Sequence, residues 1–384
     1  MSVYVRALAS ALARAGVECD VLVRREQTGT PDVVVVEPGF RVVQLDAGPA
    51  EPVSKHDLIE LVEPMVDATI RRAERDGAYD VFHANYWVSG AVGHRLKHEL
   101  DRPLAATFHT LARVKADAGI DDDPALRSRI EHEIVACADL MLASTPAEQD
   151  QLALLYGADV GRVEVVPPGV DHETFRAFAP DVRATERAAL GLGDGPVLLF
   201  AGRIQPLKGA DLALRALAEL GDPRAVLLVV GGPSGPDGPA ELARLHALVD
   251  ELGVRGRVRF VPPRTHADLA RYYRAVDVCL VPSHSESFGL VALEAAACGT
   301  PVVASAVGGL SSLVDDGITG HLVDSRDPGD YAAPIAGLLA DPDAAAAMGA
   351  RAEVASRRYA WSMTAARLRR LYADLLVREP VSCR

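Results

Sequence analysis

Two glutamates, Glu286 and Glu294, stand eight residues apart in a segment that begins Pro-Ser-His-Ser-Glu-Ser-Phe-Gly at residue 282. Glu286 falls in a predicted loop after an apolar strand, and Glu294 falls inside the helix that follows. Eight residues of helix span roughly 12 Å, more than the roughly 5 Å between the carboxylates of a retaining glycosidase. The spacing therefore predicts carboxylates that hold two parts of one elongated ligand. The alternative is a helix-capping acid followed by a solvated helix glutamate.

A second polar segment places two cations beside the predicted start of a helix. It follows the apolar run 197–201 and reads Gly-Arg-Ile-Gln-Pro-Leu-Lys-Gly, with the cations at Arg203 and Lys208. Cationic side chains together with the free N–H groups of a helix N-terminus favour a diphosphate. The segment is not a P-loop, because the Gly-Lys-Ser/Thr arrangement is absent. An exposed basic turn is the alternative.

A glycine-rich turn follows the next apolar run of the second half. It reads Gly-Gly-Pro-Ser-Gly from Gly231, and glycines at such a point let the backbone approach a ligand closely. The turn does not match the dinucleotide-binding pattern. By itself it is a weak indication of a binding site.

Polar side chains also end two predicted strands of the first half. His83, Asn85 and Tyr86 end one strand, and His109 and Thr110 end another. Parallel strands bring their carboxyl ends to one edge of a sheet, so these side chains are expected to face a ligand. Three cationic side chains stand near strand ends or in loops of the same half, where they could bind an anion: Lys55, Lys115 and Arg127. A histidine satisfied within the core is the alternative for His83 or His109.

Composition restricts the class of protein. The 384 residues carry 53 acidic and 40 basic side chains, a net charge of −13, which disfavours nucleic acid or an anionic membrane as the main partner. The 49% apolar content suffices for two ordinary cores. No apolar run is long enough to span a bilayer and no signal pattern begins the chain. We expect a cytoplasmic protein without stable membrane insertion.

Five cysteines are spread along the chain without any CxxC pair. Their odd number and wide spacing predict buried or free thiols in a reducing compartment, and neither a disulfide framework nor a zinc site. Their positions are Cys19, Cys137, Cys279, Cys298 and Cys383.

Short apolar runs alternate with helical segments throughout, which is typical of βαβ units and parallel sheets. The fold class predicted is α/β, with two Rossmann-like doubly wound domains facing across a cleft. The predicted boundaries are 1–170, a linker at 171–180, a second domain at 181–358, and a C-terminal helix in 359–384 that crosses back to the first domain. Strands are predicted at 20–24, 33–36, 41–45, 81–84, 104–108, 140–143, 163–166, 197–201, 225–230, 258–260, 278–281, 301–304 and 321–323.

Both ends of the chain are predicted to be helical. The last helix, 362–377, has Met363, Leu368, Leu371 and Leu375 as its expected apolar stripe. A helix is also predicted from Ser2 or Val3 to Arg14, whereas a doubly wound domain normally opens with a strand and a glycine turn. Either the fold tolerates a missing first strand or the native start lies upstream of Met1.

The combined segments resemble family 4 of the retaining glycosyltransferases, which have the GT-B fold. The resemblance covers nearly the whole chain and is carried by the segments from Gly202 and Glu286, the Pro-Pro-Gly-Val-Asp linker from residue 167 and Tyr-Ala-Trp-Ser from residue 359. The segments 47–53, 109–115 and 231–235, with Tyr86-Trp87, are similar to one branch of that family. Members of this branch, which belongs to mycothiol biosynthesis, transfer N-acetylglucosamine from UDP to an inositol phosphate.

The resemblance implies roles for the donor side. Arg203 and Lys208 would neutralise the leaving diphosphate, with Gly202 and Gly232 also in the donor site. Glu294 would hold the ribose and Arg264 would lie beside the base. Glu286 and His109 would be the catalytic residues that orient the donor sugar. Retention would proceed by front-face attack with a donor phosphate oxygen as base, without a cofactor or a catalytic metal.

The acceptor side departs from the family pattern. Lys55, Tyr86, Thr110 and Arg127 match positions that bind the acceptor phosphate. The first strand and its Gly-Gly-Met-Asn turn are absent, however, and Ser2 stands where an asparagine contacts the acceptor. Asn85 replaces a frequent histidine.

Three functions therefore stay open. The first is transfer of N-acetylglucosamine to inositol phosphate. The second is a transferase of specialised metabolism that uses another nucleotide sugar or an unphosphorylated cyclitol. The third is a sugar-nucleotide binder without activity. The expected partners are a nucleotide sugar and a small polar acceptor, not nucleic acid, and a homodimer is one assembly that the sequence permits.

Overall fold

The computed structural model describes residues 2–54, 57–117, 124–178, 180–235 and 237–383. The chain divides into two compact units. Unit 1 comprises Met1–Gly169 and Trp361–Arg384, and unit 2 comprises Val170–Ala360. Each unit has parallel strands covered by helices, so the predicted class of two Rossmann-like α/β domains is confirmed.

Unit 1 has a mixed three-stranded sheet and a parallel four-stranded sheet, in the orders β1-β3-β2 and β4-β5-β6-β7. The strands are β1 (Cys19–Arg24), β2 (Val33–Glu37), β3 (Phe40–Leu45), β4 (Phe82–Asn85), β5 (Leu104–Thr107), β6 (Leu140–Ala143) and β7 (Val163–Val165). The helices before the crossover to unit 2 are α1 (Ser2–Arg14), α2 (Val62–Asp76), α3 (Trp87–Leu100), α4 (Ala112–Asp117), α5 (Pro124–Cys137) and α6 (Pro146–Tyr156).

The four-stranded sheet of unit 1 is covered on both faces. All four residues of β5 and all four of β6 are buried, which explains the continuous apolar runs in the sequence. Helix α3 approaches β5 closely because Gly93 has no side chain. A Cβ atom at Gly93 would lie 2.7 Å from Leu104 Cδ1.

Unit 2 is built on one parallel sheet with the order β10-β9-β8-β11-β12-β13. Its strands are β8 (Val197–Ala201), β9 (Val226–Val230), β10 (Val258–Val261), β11 (Val278–Val281), β12 (Val302–Ser305) and β13 (His321–Val323). Its helices are α7 (Pro180–Ala189), α8 (Ala210–Glu219), α9 (Gly238–Glu251), α10 (His266–Ala275), α11 (Leu290–Ala297), α12 (Leu310–Leu313), α13 (Pro328–Ala340) and α14 (Pro342–Ser356).

The strand order of unit 2 contains a topological switch point between β8 and β11. From β8 the chain passes to β9 and β10 on one side, and it then crosses to β11 on the other side. Such a reversal leaves a crevice at the carboxyl ends of the two central strands, where ligands of doubly wound folds bind. The loops that follow β8 and β11 begin at Gly202 and Pro282, and these are the segments singled out by their chemistry.

The last helix, α15 (Trp361–Leu375), packs in unit 1 with α1. Ala365, Leu368 and Leu375 are buried, but Met363 is 57% exposed, so the predicted stripe was wrong at Met363. The reason is helical spacing: Met363 lies five residues before Leu368, whereas a shared face needs three or four. Among the described residues, no helix is long and apolar enough to cross a membrane.

Two further features differ from expectation. The stretch predicted as a linker contributes to unit 2, because Phe175 is 1% exposed within a core cluster of that unit. The expectation of thiols alone was wrong, since Cys137 and Cys383 form a disulfide across 246 residues of sequence. Cys19, Cys279 and Cys298 are free.

Candidate functional site

The loops after β8 and β9 touch through their backbones, and two glycines make this contact. Gly202 and Gly231 have φ angles of 152° and 155°, in the region that favours glycine. A Cβ atom at Gly231 would lie only 1.7 Å from the carbonyl oxygen of Gly202. The Ile204 N–H donates to the Gly232 carbonyl at 2.8 Å. These contacts fix the loop that carries Arg203.

Gly209 ends that loop and precedes α8 with a φ angle of 70°. A Cβ atom at this position would lie 2.0 Å from the carbonyl oxygen of Pro282, in the loop after β11. No side chain caps the N-terminus of α8. The first N–H groups of this helix and the positive end of its dipole therefore suit an anion.

Lys208 and Glu286 join the two loops at the switch point. Lys208 Nζ donates to Glu286 Oε2 at 2.6 Å, and the side chains are 22% and 18% exposed. Arg203 is exposed, and it makes no hydrogen bond or ion pair within the described part of the chain. The structure thus brings a cation and a carboxylate together beside α8 and leaves a second cation open to solvent.

Glu294 occupies a different environment from Glu286. It lies on α11, is 8% exposed, and accepts a hydrogen bond from the hydroxyl of the fully buried Tyr273 at 2.9 Å. Burial raises the pKa of Glu294 to about 7. Glu286 and Glu294 therefore differ in burial and in hydrogen-bond partner, and the division of one ligand between them stays a prediction.

The turn at Gly308 and Gly309, after β12, supports the backbone of Glu286 and was not identified from the sequence. The Gly309 N–H donates to the Glu286 carbonyl at 2.9 Å. A Cβ atom at Gly308 would lie 2.1 Å from the same oxygen. Two consecutive glycines a few residues after a predicted strand are the signal that could have found this turn.

Arg326 also braces the loop after β11 and was missed. Its Nη1 donates to the Pro282 carbonyl at 2.8 Å, and its Nη2 lies 2.8 Å from His284 Nε2. No local sequence pattern marks Arg326, because its partners stand more than forty residues away. It holds the loop in place next to the start of α8, because a Cβ atom at Gly209 would lie 3.3 Å from Arg326 Nη2.

Gly232 and Arg264 follow the two outer strands of this half of the sheet. A Cβ atom at Gly232 would lie 2.8 Å from Pro263 Cγ, so the turns after β9 and β10 also touch. Arg264 is exposed. Both residues therefore lie at the same sheet edge as Arg203 and Glu286.

A second group of predicted residues meets at the carboxyl ends of β4 and β5 in unit 1. Asn85 pairs in register with Thr107, which brings the residues that follow them close together. Tyr86 and His109 have φ angles of 84° and 63°. Positive φ values are uncommon for such residues and cluster at functional sites.

Asn85 and His109 interact at this edge. His109 Nε2 donates to Asn85 Oδ1 at 2.9 Å, and Tyr4 packs edge-on against the ring with centroids 4.6 Å apart. Burial lowers the pKa of His109 to about 3. This histidine is therefore neutral near pH 7 and can serve there as a hydrogen-bonding group.

His83 is satisfied within unit 1. Its Nδ1 lies 2.7 Å from the Tyr372 hydroxyl, and its Nε2 lies 2.9 Å from Thr107 Oγ1. Burial lowers its pKa to about 4. These contacts fit the alternative that His83 is a histidine satisfied within the core.

Arg127 is 3% exposed and lies beside two other predicted acceptor residues. Its Nη2 donates to Thr110 Oγ1 at 3.0 Å and also to the Thr110 carbonyl. Its guanidinium lies 5.0 Å from the centre of the Tyr86 ring. Its Nη1 is buried and has no hydrogen-bond partner within the described residues. An unpartnered buried donor favours an acceptor supplied by a ligand.

Glu131 orients Arg127 and was not predicted. It is fully buried, and its Oε1 accepts from Arg127 Nε at 2.7 Å. Its Oε2 accepts from the Ala112 N–H at 2.9 Å and from the Tyr156 hydroxyl. The spacing of four residues on one helix indicates an ion pair between Arg127 and Glu131. Ion pairs at this spacing usually lie on exposed helix surfaces, however.

Two predicted acceptor residues lie partly or wholly outside the part of the chain that the structure describes. Lys55 lies outside the described residues. Ser2 begins α1, and its side chain is likewise outside the described part. Their assigned roles stay predictions.

The two sets of side chains permit different chemistry. The set at the switch point of unit 2 can compensate negative charge with Arg203, Lys208 and the start of α8, and can accept hydrogen bonds at Glu286 and Glu294. The set in unit 1 can bind an anion at Arg127. Among the described residues, one group has donor atoms close enough to share a metal ion, and none of its members is a predicted site residue.

In comparisons with known proteins, two family models match the two parts of the chain separately. A family model described as Glycosyl transferase 4-like domain matches residues 1–169, and one described as Glycosyl transferases group 1 matches residues 182–354. The D-inositol 3-phosphate glycosyltransferase of Xylanimonas cellulosilytica is 46% identical over 390 residues, which cover 99% of this chain and 93% of the relative. A protein of the same name from a Mycobacterium species is 49% identical over 346 residues, covering 88% of this chain and 77% of the relative.

Among solved structures, sucrose-phosphate synthase from Thermosynechococcus elongatus is similar over nearly its full length. The TM-score is 0.89 at 35% identity, with 97% of this chain and 92% of that chain covered.

Proposed function

Because this chain belongs to the family 4 glycosyltransferases of the GT-B fold, we propose that it transfers N-acetylglucosamine from UDP-N-acetylglucosamine to 1D-myo-inositol 3-phosphate. The new bond joins the anomeric carbon of the sugar to a hydroxyl of the inositol ring, and UDP leaves. The hydroxyl proton passes to a donor phosphate oxygen. The anomeric configuration of the donor is retained.

The observation that carries the choice of acceptor is the environment of Arg127. Its buried Nη1 needs an acceptor, and a phosphate oxygen forms a stronger, charge-assisted hydrogen bond than a hydroxyl does. Thr110 and Tyr86 contact the same guanidinium. The names of the relatives from Xylanimonas and Mycobacterium also specify a phosphorylated inositol.

The donor assignment rests on the switch point of unit 2. A UDP diphosphate at the N-terminus of α8 would meet uncapped N–H groups together with Lys208 and Arg203. These groups stabilise the charge that develops as UDP leaves, which is the usual largest contribution to such catalysis. We assign Glu294 to accept hydrogen bonds from the ribose and Glu286 to accept them from the sugar.

His109 is proposed to act as a neutral hydrogen-bonding group. Its lowered pKa makes it a poor general acid near pH 7. Its hydrogen bond to Asn85 fixes the ring orientation. We assign it to orientation of the donor sugar, in keeping with proton transfer to the donor phosphate.

A panel of donors and acceptors tests the proposal. Purified protein is incubated with UDP-N-acetylglucosamine, UDP-glucose or a GDP sugar, each against inositol 3-phosphate, free inositol, an aminocyclitol and a hexose phosphate. Mass spectrometry identifies the product, and nuclear magnetic resonance gives its anomeric configuration. We expect the N-acetylglucosaminyl inositol phosphate with retained configuration. Product from unphosphorylated acceptors alone would refute the acceptor assignment and favour the transferase of specialised metabolism.

A further inference from the structure

Four nitrogen and sulfur donors converge at one end of α3 and α5, outside the residues assigned to the transferase site. They belong to His94, His98, Cys137 and Cys383, and one ligand atom of each lies within 4.8 Å of those of the other three. His94 and His98 are four residues apart on α3, so they share one face of that helix. Cys137 ends α5.

We propose that these four side chains bind a Zn²⁺ ion in the reduced chain and that the ion fastens the C-terminal segment to α3 and α5. Two thiolates with two imidazoles form a donor set that selects zinc in tetrahedral geometry. Tetrahedral zinc, with bonds of roughly 2.0–2.3 Å, separates its ligand atoms by about 3.3–3.8 Å. His98 Nε2 already lies 3.3 Å from Cys137 Sγ.

Contacts beside the cluster hold the C-terminal segment in place independently of its cysteine. The Val381 N–H donates to Asp139 Oδ1 at 2.7 Å, and Lys97 Nζ donates to the same oxygen at 2.7 Å. Lys97 Nζ also donates to the carbonyl of Cys137 at 2.8 Å. Lys97 is only 4% exposed. A buried set of hydrogen bonds thus positions Cys383 beside Cys137, as zinc ligands require.

The disulfide between Cys137 and Cys383 is the oxidised form of the same pair. A dithiol reductant supplies two electrons and two protons, the S–S bond breaks to give two thiols, and the reductant becomes a disulfide. Zinc binding then displaces one proton from each thiol. Metal and disulfide are therefore mutually exclusive states of one cluster.

Metal analysis of the full chain tests the proposal. The protein is reduced with a phosphine under argon, supplied with zinc, desalted and measured by mass spectrometry of the metal and by a chromophoric chelator. The variants are Cys383→Ser and His94→Ala. Matched controls are Cys19→Ser, a free cysteine of unit 1, and His132→Ala, an exposed histidine of α5. We expect one zinc ion per chain in the wild type and both controls, and substoichiometric zinc in both variants.

Two further readouts separate the zinc site from a structural role of the cysteines. Cobalt in place of zinc should give a thiolate-to-cobalt charge-transfer band and the intense visible bands of tetrahedral cobalt, in the wild type but not in His94→Ala. Zinc should also slow trypsin cleavage after the exposed Arg378 in the reduced chain. Equal zinc content in wild type and His94→Ala, or no zinc in the reduced wild type, would overturn the proposal and leave the pair as a disulfide only.

Discussion

Lys208 Nζ and Glu286 Oε2 lie 2.6 Å apart and join the loops that follow the two central strands of unit 2. The pair places the cation that we propose for the diphosphate next to the carboxylate that we propose for the sugar. The two groups thereby position each other before a donor binds. Each proposed role has its own measurement, which is UDP affinity for Lys208 and turnover of the sugar nucleotide for Glu286.

Replacing Lys208 by alanine should weaken UDP binding and lower kcat/KM by roughly 10²–10³, the usual cost of losing one charge-stabilising group. Glu286→Ala should leave the Kd of free UDP within a factor of about three while lowering kcat for the sugar nucleotide by a similar 10²–10³. Calorimetry with UDP and steady-state kinetics measure the two effects. Glu219→Ala, at the exposed end of α8, is the control. A large UDP defect in Glu286→Ala would show that the roles are not separate.

Glu294 should make donor binding dependent on pH. Burial raises its pKa to about 7, and in the proposed site the ribose hydroxyls would donate to the ionised form. Affinity for UDP-N-acetylglucosamine should therefore increase as the pH rises through about 7, and Glu294→Gln should lose this dependence together with much of the affinity. Calorimetry between pH 5.5 and 8.5 measures both. An unchanged pH dependence in the variant would contradict the assignment.

The same group should affect the free energy of unfolding. Between its ordinary pKa of 4.5 and about 7 the native chain binds more protons at Glu294 than the unfolded chain does, so stability falls as the pH rises through this window. Relative to Glu294→Gln, the wild type should lose about 3 kcal/mol between pH 4 and pH 8. Urea unfolding at several pH values checks the sign. A wild type that gains stability relative to the variant would show that Glu294 is not held protonated by burial.

Gly231→Ala should force apart the loops that follow β8 and β9, which we propose to bind the donor. The added Cβ would meet the Gly202 carbonyl oxygen at 1.7 Å, so the backbones of two loops must separate, at a cost of about 2 kcal/mol or more. Gly256→Ala is the matched control, because no atom lies within 4 Å of its added Cβ. Thermal unfolding and UDP affinity should change in the first variant only. Equal effects would show that the close contact of the loops is unimportant.

The sequence predicts the parallel sheets well because their strands are buried on both faces. The apolar runs at β5, β8 and β11 are almost uninterrupted, and polar side chains mark the points where such strands end. Family resemblance adds roles to those polar residues. Met363 shows the limit of a simple apolar count, since the helix face is set by the positions of Leu368 and Ala365.

Contacts between distant segments could not be predicted in this way. Arg326 braces a loop whose residues stand more than forty positions earlier, and Cys137 pairs with a cysteine 246 residues away. Glu131 lies close to Arg127 in sequence, but charged pairs at that spacing are usually solvent-exposed. Only the structure shows that the pair of Arg127 and Glu131 is buried.

Arg127 gives the most direct test of the proposed function. Removing it alone would leave the buried carboxylate of Glu131 without a cationic partner, at a cost of about 3–5 kcal/mol. The paired variant Arg127→Met with Glu131→Gln avoids this unpaired charge. Circular dichroism and UDP affinity serve as controls for folding and for the donor site.

The decisive measurement is the ratio of kcat/KM for inositol 3-phosphate to that for free inositol, with UDP-N-acetylglucosamine as donor. We expect the wild type to prefer the phosphorylated acceptor by at least about 10², the value of one charge-assisted contact of about 3 kcal/mol. The paired variant should lose most of that preference through a higher KM for inositol 3-phosphate, with the donor KM unchanged. A wild type that does not prefer the phosphorylated acceptor, or a variant that keeps the full preference, would contradict the account.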